Sequence, residues 1–444
     1  MRPPITRTRC SVATKRVMAS VELVRYICEH SCRAQNYRNA LISKTWSNEA
    51  LSVMWYKLDT ILPLLKLLGP MTLYEENSLH NFAYVRHIQP DNWVVFRRYS
   101  WRVHEIHHRV LNYDFSDSIF IDIMATSTLS SYDLMPNLRT LAYDGRGPFL
   151  KFVPLLIHKA LHSLELHLMN ENNFDDDELE LLFKRTLSYI PHKSPNLRCL
   201  SLSSYSQIPI HTELDAVLEM LPRLKELSIT PTLLTVSTLD ILAHLPALES
   251  WTVYGDPASL ETIPNFAVLP STDAFPSLNT FTSGSLKFST IISLLKAKKP
   301  RNLRRLNVGA PHEVSRNQCY RLIATITSTC PSIEKIHLKG HYRLPWTDDD
   351  PDQPMIPAFL SPTHRCSSLI SLHLRYSPRL CLTIETMRGL LLGLPSLETL
   401  KLDECHAPPT LPLSALSELA PLCPHLKLLT LYGHQTTLYF GPTK

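Results

Sequence analysis

The sequence predicts an α/β solenoid, a curved parallel sheet inside and helices outside, preceded by a small all-α module. Three observations predict it. A short apolar phrase returns through the last three-quarters of the chain, helical patterns lie between its copies, and proline outnumbers glycine, 34 to 11. The usual order of those two residues is reversed. A chain so poor in glycine has little to offer a fold that must bring backbone close to a phosphate or nucleotide. Proline therefore punctuates something else.

What it punctuates is the phrase Pro-x-Leu-x-x-Leu-x-Leu. It reads Pro136-Asn137-Leu138-Arg139-Thr140-Leu141, then Pro195-Asn196-Leu197-Arg198-Cys199-Leu200-Ser201-Leu202, then Pro222-Arg223-Leu224-Lys225-Glu226-Leu227-Ser228-Ile229. Counting copies with and without the proline, the first apolar position falls at 138, 161, 197, 224, 248, 278, 303, 333, 369, 397 and 426, a mean spacing of about 29 residues. This is the period of a leucine-rich repeat. In each copy the alternating stretch is a strand, apolar on one side and polar on the other. Helical patterns such as Leu214–Leu221 and Ile291–Leu295 fill the intervals, and the proline ends each helix. One strand–helix unit cannot bury its own leucines, whereas a stack of them makes a continuous core with strands lining a concave face. The array is expected over 101–440, with an acidic, Pro-rich insertion at 341–366 that holds Asp348, Asp349, Asp350 and Asp352.

The front of the chain is different in kind. Residues 1–17 carry Arg2, Arg7, Arg9, Lys15 and Arg16 and no acid, and Pro3 and Pro4 break any helix there, so a disordered basic tail is expected. Residues 18–66 hold Val21–Ile27, apolar on one helical face, then Leu41–Trp46, then Ala50–Leu58: three short helices with two tryptophans. Residues 67–100 are expected to be a connecting helical segment. The order Glu22-Leu23 to Ile27, then Leu41-Ile42-Ser43-Lys44-Thr45-Trp46, then Ala50-Leu51 to Trp55, resembles an F-box. With Leu62–Leu68 and the run Asp91-Asn92-Trp93 to Val103, nearly the whole chain is similar to the F-box-like leucine-rich-repeat proteins abundant in fungi.

That resemblance implies a function. In the family the F-box docks on the small adaptor of a cullin-RING ubiquitin ligase, and the repeats hold the protein to be modified. Carried over, Leu23, Ile27, Leu41, Ile42, Trp46, Leu51 and Trp55 form the module core or the adaptor-facing surface. One departure stands out: F-boxes usually open with Leu-Pro, and here those positions read Ala19-Ser20. A repeat scaffold with no ligase connection is the alternative expectation.

Little points to catalysis. There is no GxGxxG, GxxxxGKS/T or GxSxG, no CxxC and no HExxH, and no run of 18 apolar residues. The expectations are therefore no enzyme activity, no cofactor, no metal site, no membrane span and no nucleic-acid partner, in a cytoplasmic or nuclear protein with reduced thiols. Asp175-Asp176-Asp177-Glu178 precedes Leu179 and reads as the negatively charged start of a helix. Cys330, Cys366 and Cys423 each stand three positions before the first apolar residue of a copy, and Cys405 follows a strand; all four read as structural. On the expected concave face the early copies expose small or neutral residues, such as Ser201, Thr252 and Thr282. From the seventh copy the exposed positions become Arg305, Lys335, His337, Lys339, His373, Arg375 and Lys401. A positive patch of this kind suits an acidic or phosphorylated segment of a protein partner.

Overall fold

The computed structural model describes residues 20–76, 79–108, 113–127, 134–145, 150–168, 176–204, 209–255, 274–310, 316–340, 363, 366–375, 384–403, 418–431 and 436–439. The basic tail at 1–17, the insertion at 341–366 save Cys366 and Thr363, and Cys405 and Asp175 lie outside the described residues. The chain divides into two compact units, 1–196 and 197–444.

The first unit opens with helices α1 (Val21–Glu29), α2 (Arg33–Asn39) and α3 (Lys44–Tyr56). The count of three agrees with expectation, but the boundaries move. Leu41 and Ile42 lie in the turn before α3, and Lys44–Tyr56 is one helix where the sequence suggested two pieces. Ser43 sets its start, accepting a hydrogen bond at Oγ from the Trp46 backbone N–H at 3.3 Å. Helix α2 escaped notice because its buried residues are polar. Asn36 Nδ2 donates to the Cys28 carbonyl at 2.8 Å, and Asn39 Nδ2 donates to Asn36 Oδ1 at 3.1 Å.

Directly after α3 the chain enters β1 (Lys57–Leu58), then α4 (Leu62–Leu68), β2 (Met71–Glu76), β3 (Leu79–Tyr84) and α5 (Pro90–Ser100). The 67–100 segment was expected to be a connecting helical segment, and it carries an antiparallel β2–β3 pair before its helix. Pro70 follows the end of α4, and Thr72, Tyr74, Phe82 and Tyr84 in the stretches beyond it favour pleated backbone. Then come β4 (Glu105–His108), β5 (Asp114–Phe115), α6 (Asp117–Thr126), β6 (Thr140–Gly145), α7 (Val153–Leu156), β7 (Ser163–Leu168) and α8 (Asp176–Lys193). Strands β1, β4, β6 and β7 pair in that order, all parallel, while β5 joins β3 in the small second sheet. The parallel sheet thus begins at residue 57, inside the segment that the sequence assigned to the helical module. Arg102 ties the two together: its guanidinium donates to Ser52 Oγ at 2.6 Å and to Asn48 Oδ1 at 2.8 Å, and lies over the Trp101 ring.

The second unit is regular. Its strands are β8 (Cys199–Ser204), β9 (Glu226–Ile229), β10 (Ser250–Val253), β11 (Thr280–Ser283), β12 (Arg305–Gly309), β13 (Lys335–Lys339), β14 (Ser371–Arg375), β15 (Thr399–Asp403), β16 (Leu428–Leu431) and β17 (Thr436–Tyr439). They pair in chain order; β8 to β16 are parallel, and β17 closes antiparallel on β16. Helices α9 (His211–Glu219), α10 (Val236–His244), α11 (Phe288–Lys298), α12 (Arg316–Thr329) and α13 (Ile384–Leu392) fall between strands, the first and third where the apolar spacing placed them. Every one of the eleven phrases leads into a strand, and the first apolar residue of every phrase is buried. Leu306, Ile336, Leu372 and Leu400 sit side by side in register and form one rung of this core. Full burial of one such side chain is worth roughly 1.5–3 kcal/mol.

The polar letters of the phrase also have a task. The residue just before the first apolar position reaches back one repeat: Ser277 Oγ donates to the Pro246 carbonyl at 2.6 Å, and Asn302 Nδ2 to the Pro276 carbonyl at 2.6 Å. Backbone N–H groups do the same on the approach to each strand, Glu334 to the Arg304 carbonyl at 2.8 Å and Ile370 to the Glu334 carbonyl at 2.7 Å. Turns that would otherwise leave buried backbone unpaired are satisfied by the preceding copy. Cys330, Cys366 and Cys423 are buried at equivalent turns, and burial pushes the Cys330 and Cys366 thiols up to about 11.

Candidate functional site

Two surfaces in the described residues carry the candidate functional residues, one in each unit. The first belongs to the helical module. Its interior is Val24, Cys28, Trp46 and Ala50, with Ala40 and Val53 packed against them. On α1 this uses the face that carries residues 24 and 28. The neighbouring face, with Leu23, Tyr26 and Ile27, is left in solvent, 46%, 60% and 37% exposed. The α2–α3 turn adds Leu41, 86% exposed, and Ile42, 48% exposed. The sequence grouped seven residues as core or adaptor-facing, and the structure separates them. Trp46 is core; Leu51 and Trp55 are half-buried, Trp55 against Tyr99 with ring centres 4.8 Å apart; Leu23, Ile27, Leu41 and Ile42 face water. Sequence reasoning missed Tyr26, although it lies three residues after Leu23, on the same helical face.

Ala19-Ser20 replaces the usual Leu-Pro at the start of this module. Ser20 caps α1, its Oγ accepting from the Leu23 N–H at 3.4 Å, so the helix begins without a proline.

The second surface is the side of the β8–β16 sheet whose residues alternate with the buried ladder. On β12–β15 the expected basic residues fall into three rows. Arg305 is in register with Lys335; Asn307 with His337, His373 and Lys401; Gly309 with Lys339 and Arg375. The register brings all seven basic residues onto adjoining strands, about 4.8 Å apart. The His337 and His373 rings stack with centroids 4.1 Å apart and planes 4° from parallel. Ser371 and Thr399 extend the first row, Asn307 opens the second, and Gly309 and Asp403 bound the third; none of them was singled out. Gly309 lies against Gly284, where a Cβ would meet the Gly284 Cα at 3.4 Å.

Beside the first row is a polar groove of about 530 Å³, lined among others by Asn279, Asn302, Arg304, Arg305 and Glu334. Arg304 is engaged with Glu334 at 3.3 Å, which leaves Arg305 as the groove's link to the basic rows. The corresponding outward positions on β8–β11 hold Ser201, Ser228, Thr252 and Thr282, with a Ser201–Tyr254 hydroxyl contact at 3.1 Å. The first unit differs again: Glu105 lies 3.3 Å from His107, and a hydrogen bond from His167 holds the Glu165 carboxyl below its ordinary range, with a further contribution from the charge on His107.

Asp176, Asp177 and Glu178 begin α8, and Lys151 reaches Glu178 at 3.3 Å. Among the described residues no group of three or more His, Cys, Asp or Glu could hold a metal ion, and no helix is long and apolar enough to cross a membrane.

No family model matches the chain, and no curated protein matches it. Among solved structures, it is similar to a chain of the yeast Rad7–Elc1 complex at 13% identity, with a TM-score of 0.35 over 95% of this chain and 92% of that one. It is also similar to the TLR13–ssRNA13 complex at 15% identity, with a TM-score of 0.31 over 74% of this chain and 54% of that one. By its own strand register and buried ladder, the chain has a leucine-rich-repeat fold of α/β class, with a small all-α module at residues 21–56.

Proposed function

We propose that this chain is the substrate-recognition subunit, of F-box type, of a cullin-RING ubiquitin ligase. The helical module docks on the ligase adaptor, and the sheet face of the repeats holds a protein substrate. The chain itself provides binding and orientation, and partner subunits supply ubiquitin transfer; its place of work is the cytoplasm or nucleus. The observation that carries the reading is that Leu23, Ile27, Leu41 and Ile42 stand in solvent, with Val21 and Tyr26, on a module whose interior is closed by Val24, Cys28, Trp46 and Ala50. The first four belong to the set that the F-box resemblance assigns to adaptor contact or core.

A second reading, a repeat scaffold without a ligase, is favoured by one feature: Ser20 stands where F-boxes usually carry proline. Deleting residues 1–66 would not separate the two, since it removes β1 from the sheet. Point changes in the full chain do. The wild type should co-purify a cullin and its adaptor from cell lysate, and a Leu23→Asp/Leu41→Asp variant should recover neither while keeping its helical circular dichroism. Equal recovery by both proteins, or by neither, favours the scaffold.

A further inference from the structure

We infer that the basic rows on β12–β15 bind an acidic, extended segment of the protein partner, and that this binding takes up a proton at the His337–His373 pair. The inference rests on the reading that the sheet face is the substrate site. The patch spans four strands, roughly 14 Å across, and three outward positions per strand, roughly 13 Å along. That is the footprint of about four residues of extended chain. The cationic groups are distributed over the footprint, with Arg305 and Lys335 in one row, Lys339 and Arg375 in another, and Lys401 beside His373 between them. Side chains on alternate positions of an extended ligand, about 6.6 Å apart, therefore meet a cation in successive rows.

The histidine pair gives this surface a property that a simple basic patch lacks. Two imidazoles stacked at 4.1 Å sit in the middle row, flanked by the five cations. Among the described residues, the charged groups on the strands around the pair are Lys335 and Lys339 on β13, Arg375 on β14, Arg305 on β12 and Lys401 on β15. Asp403 ends β15 in register with Arg375, and Glu334, just before β13, is engaged by Arg304. A carboxylate or phosphate laid over the rings would favour uptake of a proton there. Linkage is reciprocal: if the anion draws a proton, then lowering the pH tightens the anion. Histidine is the side chain that makes such coupling readable between pH 5 and 8.

The surface also discriminates by what it lacks. Its outward residues on β12–β15 include no Phe, Tyr or Trp among the described strands, so it offers no aromatic ladder for the bases of a single-stranded nucleic acid.

The test uses the full chain and three fluorescent probes: an Asp-rich decapeptide, a decapeptide with two phosphoserines among neutral residues, and a single-stranded RNA of ten nucleotides. Binding is measured by anisotropy at pH 7.5 and 5.8, at low and high salt. At least one peptide should bind more tightly than the RNA, should weaken by about tenfold or more between low and high salt, and should tighten several-fold at pH 5.8. Preference between the two peptides assigns the anion as carboxylate or phosphate. The Lys335→Glu/Lys339→Glu/Arg375→Glu variant should lose binding. The His337→Asn/His373→Asn variant should keep the salt dependence and lose the pH dependence. Equal peptide binding by wild type and the charge-reversed variant, or tighter binding of the RNA, overturns the acidic segment. With the Asp-rich peptide, whose carboxylates stay ionised at both pH values, a tightening at pH 5.8 that survives in the Asn pair overturns the proton coupling. Adaptor capture through the module is a separate measurement, and a patch that fails here leaves that result standing.

Discussion

The helical module and the repeat array treat apolar residues in opposite ways. In the repeats the strand leucines that the phrase marks are buried among the described residues, and the outward positions are mostly small, polar or basic, with Glu226 among the exceptions. In the module a small interior is closed by Val24, Cys28, Trp46 and Ala50, yet Leu23, Ile27, Leu41 and Ile42 remain in water. The difference shows where each region spends its apolar surface. Repeats use it on one another, because no copy is stable alone. The module has spare apolar surface after its own core is made, and such surface in a folded protein marks a site of association. On the proposed function, recognition on the array rests on charge and hydrogen bonding, and on the module it rests on burial.

The sharpest way to break this comparison is to put a charge in the ladder. Leu306 is buried between Phe281 and Ile336 in register. Leu306→Asp loses the packing of a large side chain and buries a carboxylate, for a cost of more than about 4 kcal/mol. Limited proteolysis should then open several strands of the 197–444 unit together; cleavage confined to 341–366 would argue against a continuous core.

A smaller effect belongs to the first unit. His108 occupies an inward strand position where most copies place leucine, stacked on Tyr143 with ring centres 5.7 Å apart. Burial pushes its imidazole down to about 4. The folded state therefore resists a proton that the unfolded chain accepts near its ordinary value of about 6.5. Stability from this group is complete above about pH 6.5 and is lost as pH falls toward 4, by at most about 3 kcal/mol. Chemical denaturation at pH 7 and pH 4.5 should show the loss in the wild type and a smaller one in His108→Leu. Equal pH slopes would mean that the site is hydrated.

Much of this was legible in the sequence because the physics that wrote it is local and repeated. A period of about 29 residues with alternation inside each copy is visible without knowing any long-range contact. Placement of the basic rows was legible for the same reason: once strands are parallel and in step, equal positions in the phrase become neighbours. Illegible features depend on partners far away in the chain. Helix α2 is held by Asn36 and Asn39, whose hydrogen bonds to Cys28 and to each other make polar residues into core. Lys298 looks like one of several surface lysines, yet it is fully buried with its ammonium 2.9 Å from Asp240, 58 residues earlier. The division of Leu23, Ile27, Leu41 and Ile42 from Trp46 was likewise invisible, since apolar letters alone do not say which face is covered.

The central claim is that the module's exposed apolar face is a docking surface, and one titration tests it most directly. Purified adaptor of a cullin-RING ligase is titrated onto the full chain and onto Leu41→Asp, with thermal unfolding of both measured alongside. Leu41 is 86% exposed, so the change should move stability by no more than about 0.5 kcal/mol. The account predicts saturable binding by the wild type and a loss of about tenfold or more in the variant, because a carboxylate is then forced into a dry interface. Equal affinities for two equally stable proteins would contradict it.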